Sequence, residues 1–109
     1  MHELSVTQSV VDAIVERMGD AEVAAVCLEI GKLSGVVPDS VRFCFEVVCA
    51  GTTLEGARLD ILEPGGQARC RDCDGEFALP DLIPLCPCGS ANVEITAGRQ
   101  LRIRSVEVA

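Results

Sequence analysis

Residues 70–89 read CRDCDGEFALPDLIPLCPCG, and this stretch decides how the second half of the chain folds. It contains two close cysteine pairs, Cys70 with Cys73 and Cys86 with Cys88, separated by twelve residues. That separation is long enough for the chain to double back and place four thiolates around one tetrahedral ion. Zinc favours a closed shell of four sulfurs when its role is structural. The spacing therefore predicts a zinc site formed by all four cysteines.

The sequence around these pairs, residues 67–97, shows little regular periodicity and contains two turns with proline. A segment of this kind has too little apolar sequence to form its own core and is typically organised by a metal. Two other interpretations stay open at this point. The cysteines could lie free of metal, or they could bind iron, as in a rubredoxin-like electron carrier. The other three cysteines, Cys27, Cys44 and Cys49, lie in apolar segments and are predicted to be core residues.

The sequence before the cysteine pairs alternates between helical and strand patterns. Ser5 with Gln8 resembles a capping box, and apolar residues follow at helical spacing up to Met18. The dense apolar run 23–30 has the length of a strand covered on both faces. A second helix is predicted after Asp39 or Ser40, ending before Gly51.

After the second helix, residues 57–62 alternate as a strand with one buried face. The last strand, 101–108, changes parity near Ser105, which predicts a bulge there. These elements predict an α+β fold: two helices packed on a small, mostly antiparallel sheet, with an inserted zinc-ribbon-like module of four cysteines.

The charge, the hydropathy and the single histidine of the chain disfavour several classes of function. The 109-residue chain has a formal charge of -8, which disfavours nucleic acid and anionic membrane as partners. No apolar run approaches the roughly 20 residues of a membrane-spanning helix, and no signal peptide is evident, so we expect a cytoplasmic protein. One histidine, His2, cannot supply a nucleophile–base–orienter set. We therefore predict that the protein is not an enzyme and has no catalytic residues.

The amino terminus is a second candidate metal site. The amine of Met1, the amide nitrogen of His2 and its imidazole can form fused chelate rings on one ion. A planar set of nitrogens suits Ni(II) or Cu(II). Glu3 could add a further ligand, although an acidic residue ahead of a helix is equally explained by the helix dipole. From position alone, His2 could also lie in a frayed terminus with no role.

Met1-His2-Glu3-Leu4-Ser5 at the start, the two cysteine pairs, and LRIRSVEV at 101–108 together resemble the HypA/HybF family of hydrogenase nickel-incorporation proteins. The resemblance covers the whole chain. It implies that Met1 and His2 bind nickel, that the four cysteines bind structural zinc, and that nickel passes to the [NiFe]-hydrogenase large subunit. It also implies a HypB-type GTPase as a partner, and some family members supply urease maturation.

The sequence pattern predicts two parts: an α+β domain of residues 1–63 plus 98–109, to which the resemblance assigns nickel binding, and an inserted zinc-binding module of residues 64–97. Family members commonly have Cys-x-x-Cys in both pairs, whereas this chain has Cys86-Pro87-Cys88, one residue shorter. The alternative function that the sequence leaves open is a zinc-ribbon adaptor that binds other proteins and has no nickel role.

Overall fold

The computed structural model describes residues 2–109, and Met1 lies outside the described residues. Within that range the chain forms two helices and two three-stranded sheets, which confirms the predicted α+β class. Three of the four strand pairings are antiparallel, and the pairing of β1 with β2 is parallel. The elements in chain order are α1 (His2–Met18), β1 (Val23–Ile30), α2 (Pro38–Cys49), β2 (Arg58–Leu62), β3 (Gly66–Cys70), β4 (Glu76–Leu79), β5 (Val93–Ala97) and β6 (Leu101–Val108).

Both helices begin earlier than predicted. The capping box at Ser5 is wrong, because α1 already includes His2 and the Gln8 amide donates to Asp12 instead. The predicted cap at Asp39 or Ser40 is also wrong, because α2 begins at Pro38. Proline suits a first helical position, since the backbone N–H that it lacks would have no partner there. The predicted helix end after Met18 is confirmed, with Gly19 at a φ of 61°.

The first sheet has the order β2-β1-β6, and both helices cover one face of it. The predicted bulge in the last strand is confirmed: Leu28 pairs with Ile103 and Cys27 with Ser105, which leaves Arg104 as the extra residue of β6. The core is aliphatic apart from one phenylalanine and one cysteine. Its buried members are Val11, Ile14, Val23, Val26, Leu28, Ile30, Val41, Phe45, Cys49 and Leu54.

The second sheet has the order β4-β3-β5 and is built entirely from strands within residues 64–97. Its small core contains Ala68 and Leu79, together with Leu33 from the loop after β1. The two sheets meet where backbones approach closely: Leu33 N–H donates to the Gly98 carbonyl at 2.7 Å, and a Cβ on Gly31 would lie 2.1 Å from the same oxygen. The glycine is therefore required there by lack of space.

None of the helices in residues 2–109 combines the length and the apolar character that a membrane crossing requires.

One charged group is buried in the first sheet. Glu29 of β1 accepts from Arg102 Nε at 2.6 Å and from Arg104 Nη1 at 2.5 Å, both on β6. The Arg102 hydrogen bond, opposed in part by burial, holds the pKa of Glu29 below its ordinary value of 4.5. The sequence gives no sign of this contact, since its partners are more than 70 residues apart.

We expect Glu29→Gln to lower the Tm by several degrees at neutral pH, because both guanidinium groups lose their counter-charge. A carboxylate with a lowered pKa stabilises the fold above about pH 4.5, and this contribution is lost as pH falls through the folded-state pKa. The Tm difference between wild type and variant, followed by circular dichroism, should therefore shrink below about pH 4.5. Glu107→Gln, which changes an exposed pair with Arg58, is the control and should have little effect. An equal difference at neutral and acidic pH would contradict this assignment.

Candidate metal centre

The four cysteines predicted to bind metal lie together at one end of the second sheet. Their Sγ atoms are all within 4.8 Å of one another. Cys70 Sγ lies 3.7 Å from Cys88 Sγ, and Cys73 Sγ lies 3.7 Å from Cys86 Sγ. Four sulfurs about 2.3 Å from a tetrahedral zinc ion would be about 3.8 Å apart. The two shortest observed spacings therefore match the distance expected around such an ion.

Two tight turns place these thiols. In the first, Asp74 N–H donates to the Cys70 carbonyl at 2.9 Å, and Asp74 adopts a φ of 63°. In the second, Gly89 N–H donates to the Cys86 carbonyl at 2.8 Å, and Gly89 has a φ of 97°, a conformation that favours glycine. Within each turn the N–H of the second cysteine donates to the sulfur of the first at 3.4 Å. These donors stabilise negative charge on the sulfurs.

A polar brace, formed by Asp72, Ser90 and Asn92, holds the two turns against each other. The Asp72 carboxylate accepts from the Ser90 hydroxyl and, at 3.3 Å, from the Asn92 side-chain amide. These two hydrogen bonds, the Ser90 one first, lower the pKa of Asp72. In addition, Arg71 N–H donates to the Asn92 carbonyl at 2.9 Å. Sequence reasoning missed the brace because its partners are 18 and 20 residues apart and follow no local pattern.

The thiols differ in how readily they ionise. The backbone N–H of Cys73 is the main cause that lowers the pKa of Cys70 to about 7. The N–H of Cys88 acts in the same direction on Cys86, but burial and the three neighbouring thiols outweigh it and raise the pKa of Cys86 to about 12. Four thiolates at this distance repel one another strongly unless a cation lies between them. The donor set is therefore suited to a divalent, sulfur-seeking metal.

The other three cysteines lie away from this cluster. Cys49 is buried in the main core, as predicted, and burial raises the pKa of its thiol to about 11. Cys27 and Cys44 are only half-buried, so the prediction that they are core residues was too strong for these two. Cys27 faces the side of the first sheet that the helices leave open, beside Arg58 and Ser105.

The amino-terminal candidate site begins at His2, the first described residue, and its Met1 component lies outside the described residues. His2 Nε2 lies 2.7 Å from Glu3 Oε2, and the His2 side chain is 60% exposed while that of Glu3 is 15% exposed. Glu3 Oε2 also accepts from the N–H of Val37 at 3.4 Å, just before α2. Glu3 therefore lies beside the start of the second helix.

Comparison with known proteins shows which family the chain belongs to. The family model described as "Hydrogenase/urease nickel incorporation, metallochaperone, hypA" matches residues 1–108. The chain belongs to the HypA family. The hydrogenase maturation factor HypA of Geotalea uraniireducens is 50% identical over 109 residues, covering 99% of each chain. That of Nostoc punctiforme is 45% identical over 108 residues, covering 99% of this chain and 96% of the other.

Solved HypA structures show the same architecture. The solution structure of the Ni metallochaperone HypA from Helicobacter pylori superposes with a TM-score of 0.67 at 26% identity, covering 97% of this chain and 96% of the other. A second HypA solution structure gives a TM-score of 0.64 at 25% identity, covering 97% and 92%. The predicted family and the predicted role in nickel metallochaperone function for hydrogenase maturation are thus confirmed.

The shorter second cysteine pair does not separate the thiols of this chain. With only Pro87 between them, Cys86 is buried and Cys88 is exposed, yet both sulfurs lie 3.7 Å from a cysteine of the first pair. The backbone turns sharply after Cys88 at Gly89, which has a positive φ. The turn is closed by a hydrogen bond from Cys86 N–H to the Ser90 carbonyl at 2.8 Å. A single residue between Cys86 and Cys88 is therefore compatible with a four-sulfur cluster.

Proposed function

We propose that the protein carries Ni(II) at its amino terminus, on Met1 and His2, and delivers it to the [NiFe]-hydrogenase large subunit in the cytoplasm. A structural Zn(II) held by Cys70, Cys73, Cys86 and Cys88 organises the second sheet. The observation that carries the nickel assignment is the contact of His2 with Glu3 in a chain whose family is defined by nickel incorporation. The protein acts as a carrier and is not an enzyme.

The nickel proposal rests on which nitrogen of His2 is engaged. The contact with Glu3 involves Nε2, so Nδ1 is the ring nitrogen left for a metal. Nδ1 closes a six-membered chelate ring with the His2 amide nitrogen, and the Met1 amine closes a five-membered ring with the same amide. The first N–H groups of an α-helix have no intrahelical partner, so coordination at the His2 amide would break no helical hydrogen bond. A carboxylate on the second ring nitrogen is the usual support for a metal-binding histidine.

An exposed site of this kind also suits release. The His2 side chain is 60% exposed, so a recipient can approach the ion and replace the nitrogen ligands one at a time. A carrier needs selectivity from ligand type and geometry, and nitrogen ligands in one plane provide that for Ni(II). By contrast, the cluster offers four thiols, the number that completes a tetrahedral shell, and two of these cysteines, Cys70 and Cys86, are buried. That arrangement suits a metal that stays.

We assign one metal to each part of the chain. Residues 1–63 plus 98–109, which contain the first sheet, carry nickel, and residues 64–97, which form the second sheet, bind zinc. The main core contains no residue from 64–97, and the small core around Ala68 and Leu79 takes only Leu33 from outside that segment. A core of this size cannot order a segment of about thirty residues alone. Zinc is therefore proposed as the source of the module's stability.

A HypB-type GTPase is the proposed partner in nickel delivery, because the family functions in hydrogenase maturation and a carrier must exchange its ion with other proteins. The charge of -8 is compatible with protein partners and unfavourable for polyanions. The family description includes urease as well as hydrogenase. Urease accessory proteins are therefore proposed as a second recipient system.

The delivery proposal is tested by mixing tag-free, nickel-loaded protein with purified apo large-subunit precursor, with and without the HypB-type GTPase, and separating the two by size. We expect nickel in the precursor fraction, in the presence of a chelator that captures any released ion. The same chelator with nickel chloride in place of the loaded protein is the control. Transfer no greater than in that control would leave a zinc-ribbon adaptor as the better account.

Glu3→Gln should weaken nickel binding roughly tenfold, because the amide still fills the space but no longer carries the charge that orients the His2 imidazole. Calorimetric titration of nickel into the zinc-loaded, tag-free protein measures the effect. Glu16→Gln, an exposed position on the same helix, is the matched control and should bind nickel as wild type does. Equal affinities of the two variants would remove Glu3 from the site.

A further inference from the structure

The two cysteine turns are anchored to the second sheet in different ways. Cys70 is the last residue of β3, and its N–H donates to the Gly75 carbonyl at 2.9 Å, just before β4 begins. The first turn is therefore the tip of the β3–β4 hairpin. The second turn lies within residues 80–92, which form neither helix nor strand. Three apolar side chains of that segment are exposed and give it no core contact: Leu82, Ile83 and Leu85.

Asp72 connects the two turns. It lies in the first turn, between Cys70 and Cys73. Its carboxylate accepts through Oδ2 from the hydroxyl of Ser90, and through Oδ1 from the side-chain amide of Asn92 at 3.3 Å. Both oxygens are thus engaged by residues that follow the second turn. One side chain of the first turn is fixed at two points to the chain beyond the other.

Ser90 passes this contact on to the second turn. Its carbonyl accepts from the N–H of Cys86 at 2.8 Å, and its hydroxyl oxygen accepts from the N–H of Asn92 at 3.0 Å. A shift of Ser90 would therefore move the backbone that carries Cys86 and Cys88. Arg71 makes a separate connection, which reaches the Asn92 carbonyl further along the chain, next to β5.

Charge alone would not favour a carboxylate at this position. Four thiolates around one Zn(II) carry a net charge of about −2, and a nearby carboxylate is repelled by such a site. On charge alone, removal of the Asp72 carboxylate would strengthen zinc binding. The hydrogen bonds of Asp72 act in the opposite direction, because they hold the two halves of the ligand set together. The two effects can therefore be distinguished by their sign.

Loss of a metal from four thiolates begins when one sulfur moves away and an incoming ligand takes its position. Each turn has one exposed cysteine, Cys73 in the first and Cys88 in the second. Cys88 belongs to the turn without strand support, so movement of the second turn away from the first is the easier opening. The contact of Asp72 with Ser90 opposes this movement.

We propose that Asp72 is a positioning residue of the four-thiol site: through Ser90 it holds the second turn against the first and so slows the loss of bound zinc. This inference rests on the proposed zinc function and adds to it a determinant of how long the metal stays. Asp72 is exposed and does not belong to the ligand set, so it acts through the turns rather than on the metal.

The rate of zinc transfer from the tag-free, full-length protein to an excess of chromogenic chelator tests this proposal. Asp72→Ala should release zinc roughly tenfold faster or more, because loss of groups that support the ligands typically weakens a metal site by 10–100-fold. Ser90→Ala should have a similar effect. The double variant should release zinc no faster than the faster single variant, because both changes break the same connection.

Asparagine variants separate the hydrogen bond from the charge. Asp72→Asn keeps an oxygen that accepts from the Ser90 hydroxyl and should retain most of the slow release. Asp74→Asn is the matched control, because it removes an equal charge from the same turn. It changes an exposed ion pair with Arg69, and asparagine tolerates the positive φ of this position. Its rate should equal that of wild type.

Two measurements on the loaded variants exclude a general loss of structure. Amide NMR signals of β3, β4 and β5 should stay dispersed in zinc-loaded Asp72→Ala. The ligand-field spectrum of its Co(II)-substituted form should remain that of a tetrahedral site with four sulfurs. Faster release from a folded site with an intact ligand set is the result that a positioning role predicts.

The outcomes distinguish this proposal from the zinc assignment. Release from Asp72→Ala at the wild-type rate, or more slowly, would overturn the positioning role and leave the zinc site in place. Equal acceleration in Asp74→Asn would show an effect of charge and would also overturn it, as would a second sheet that unfolds in zinc-loaded Asp72→Ala. Wild-type protein that binds no zinc would refute the zinc function and this inference together.

Discussion

Replacing His2 with alanine should weaken nickel binding by roughly 100-fold or more, because it removes the only imidazole of the chain and one of the two fused chelate rings. Nickel titration of the tag-free, zinc-loaded protein measures this directly. Adding a single glycine ahead of Met1 should have a comparable effect with His2 intact, since it moves the amine out of chelating position. Together the two changes test both halves of the proposed site.

Zinc content is the internal control for this experiment. Both amino-terminal changes should leave one zinc per chain, because the cysteine cluster belongs to the second sheet and His2 to the first helix. The helical signal of α1 should also persist, since alanine has a high helix propensity. Wild-type nickel affinity in the His2→Ala variant would refute the amino-terminal site. The cysteine thiols would then be the alternative nickel ligands.

Cys70→Ser should release zinc and unfold residues 66–97 while the main body stays folded. Cys70 is fully buried at the end of β3 and lies 3.7 Å from Cys88 Sγ, so no other side chain can replace its sulfur. Binding of zinc by small cysteine-rich units contributes about 10 kcal/mol or more to their folding. Amide NMR signals of β3, β4 and β5 should therefore collapse to unfolded positions, while those of β1 remain dispersed.

A cysteine outside the cluster gives the matched control. Cys27→Ser changes a half-buried thiol on the open face of the first sheet and should retain one zinc per chain. Metal analysis of both variants measures the difference. Removal of zinc from wild-type protein with a strong chelator should reproduce the NMR spectrum of Cys70→Ser. A second sheet that stays ordered without zinc would contradict the proposed structural role of the metal.

Local sequence predicted the elements with strong periodicity well. The strand predicted at 23–30 is β1 with the same bounds, because a dense apolar run of that length is compatible with few other structures. The change of parity near Ser105 correctly predicted a bulge. Both helix starts were placed too late, because the first turn of a helix carries no apolar period and Pro38 begins α2 without a side-chain cap.

The second sheet was harder to predict. Its three strands have four or five residues each, too few for alternation to distinguish them from loops. Their pairing depends on contacts such as Ala68 with Phe77 and Ile95, which join distant parts of the chain. The brace between Asp72, Ser90 and Asn92 has the same origin.

By itself, the sequence determined the chemical groups of this protein: which residues offer candidate metal-donor atoms, the acidic charge, and the apolar periods of the main elements. These are properties of residue type and short spacing, and they are present in the chain before it folds. Tertiary structure alone decided how those groups are supported, as in the contact of Glu3 with the Val37 N–H and that of Asp72 with Asn92. Such features arise only when distant segments meet, because contact between them depends on the packing of the whole chain.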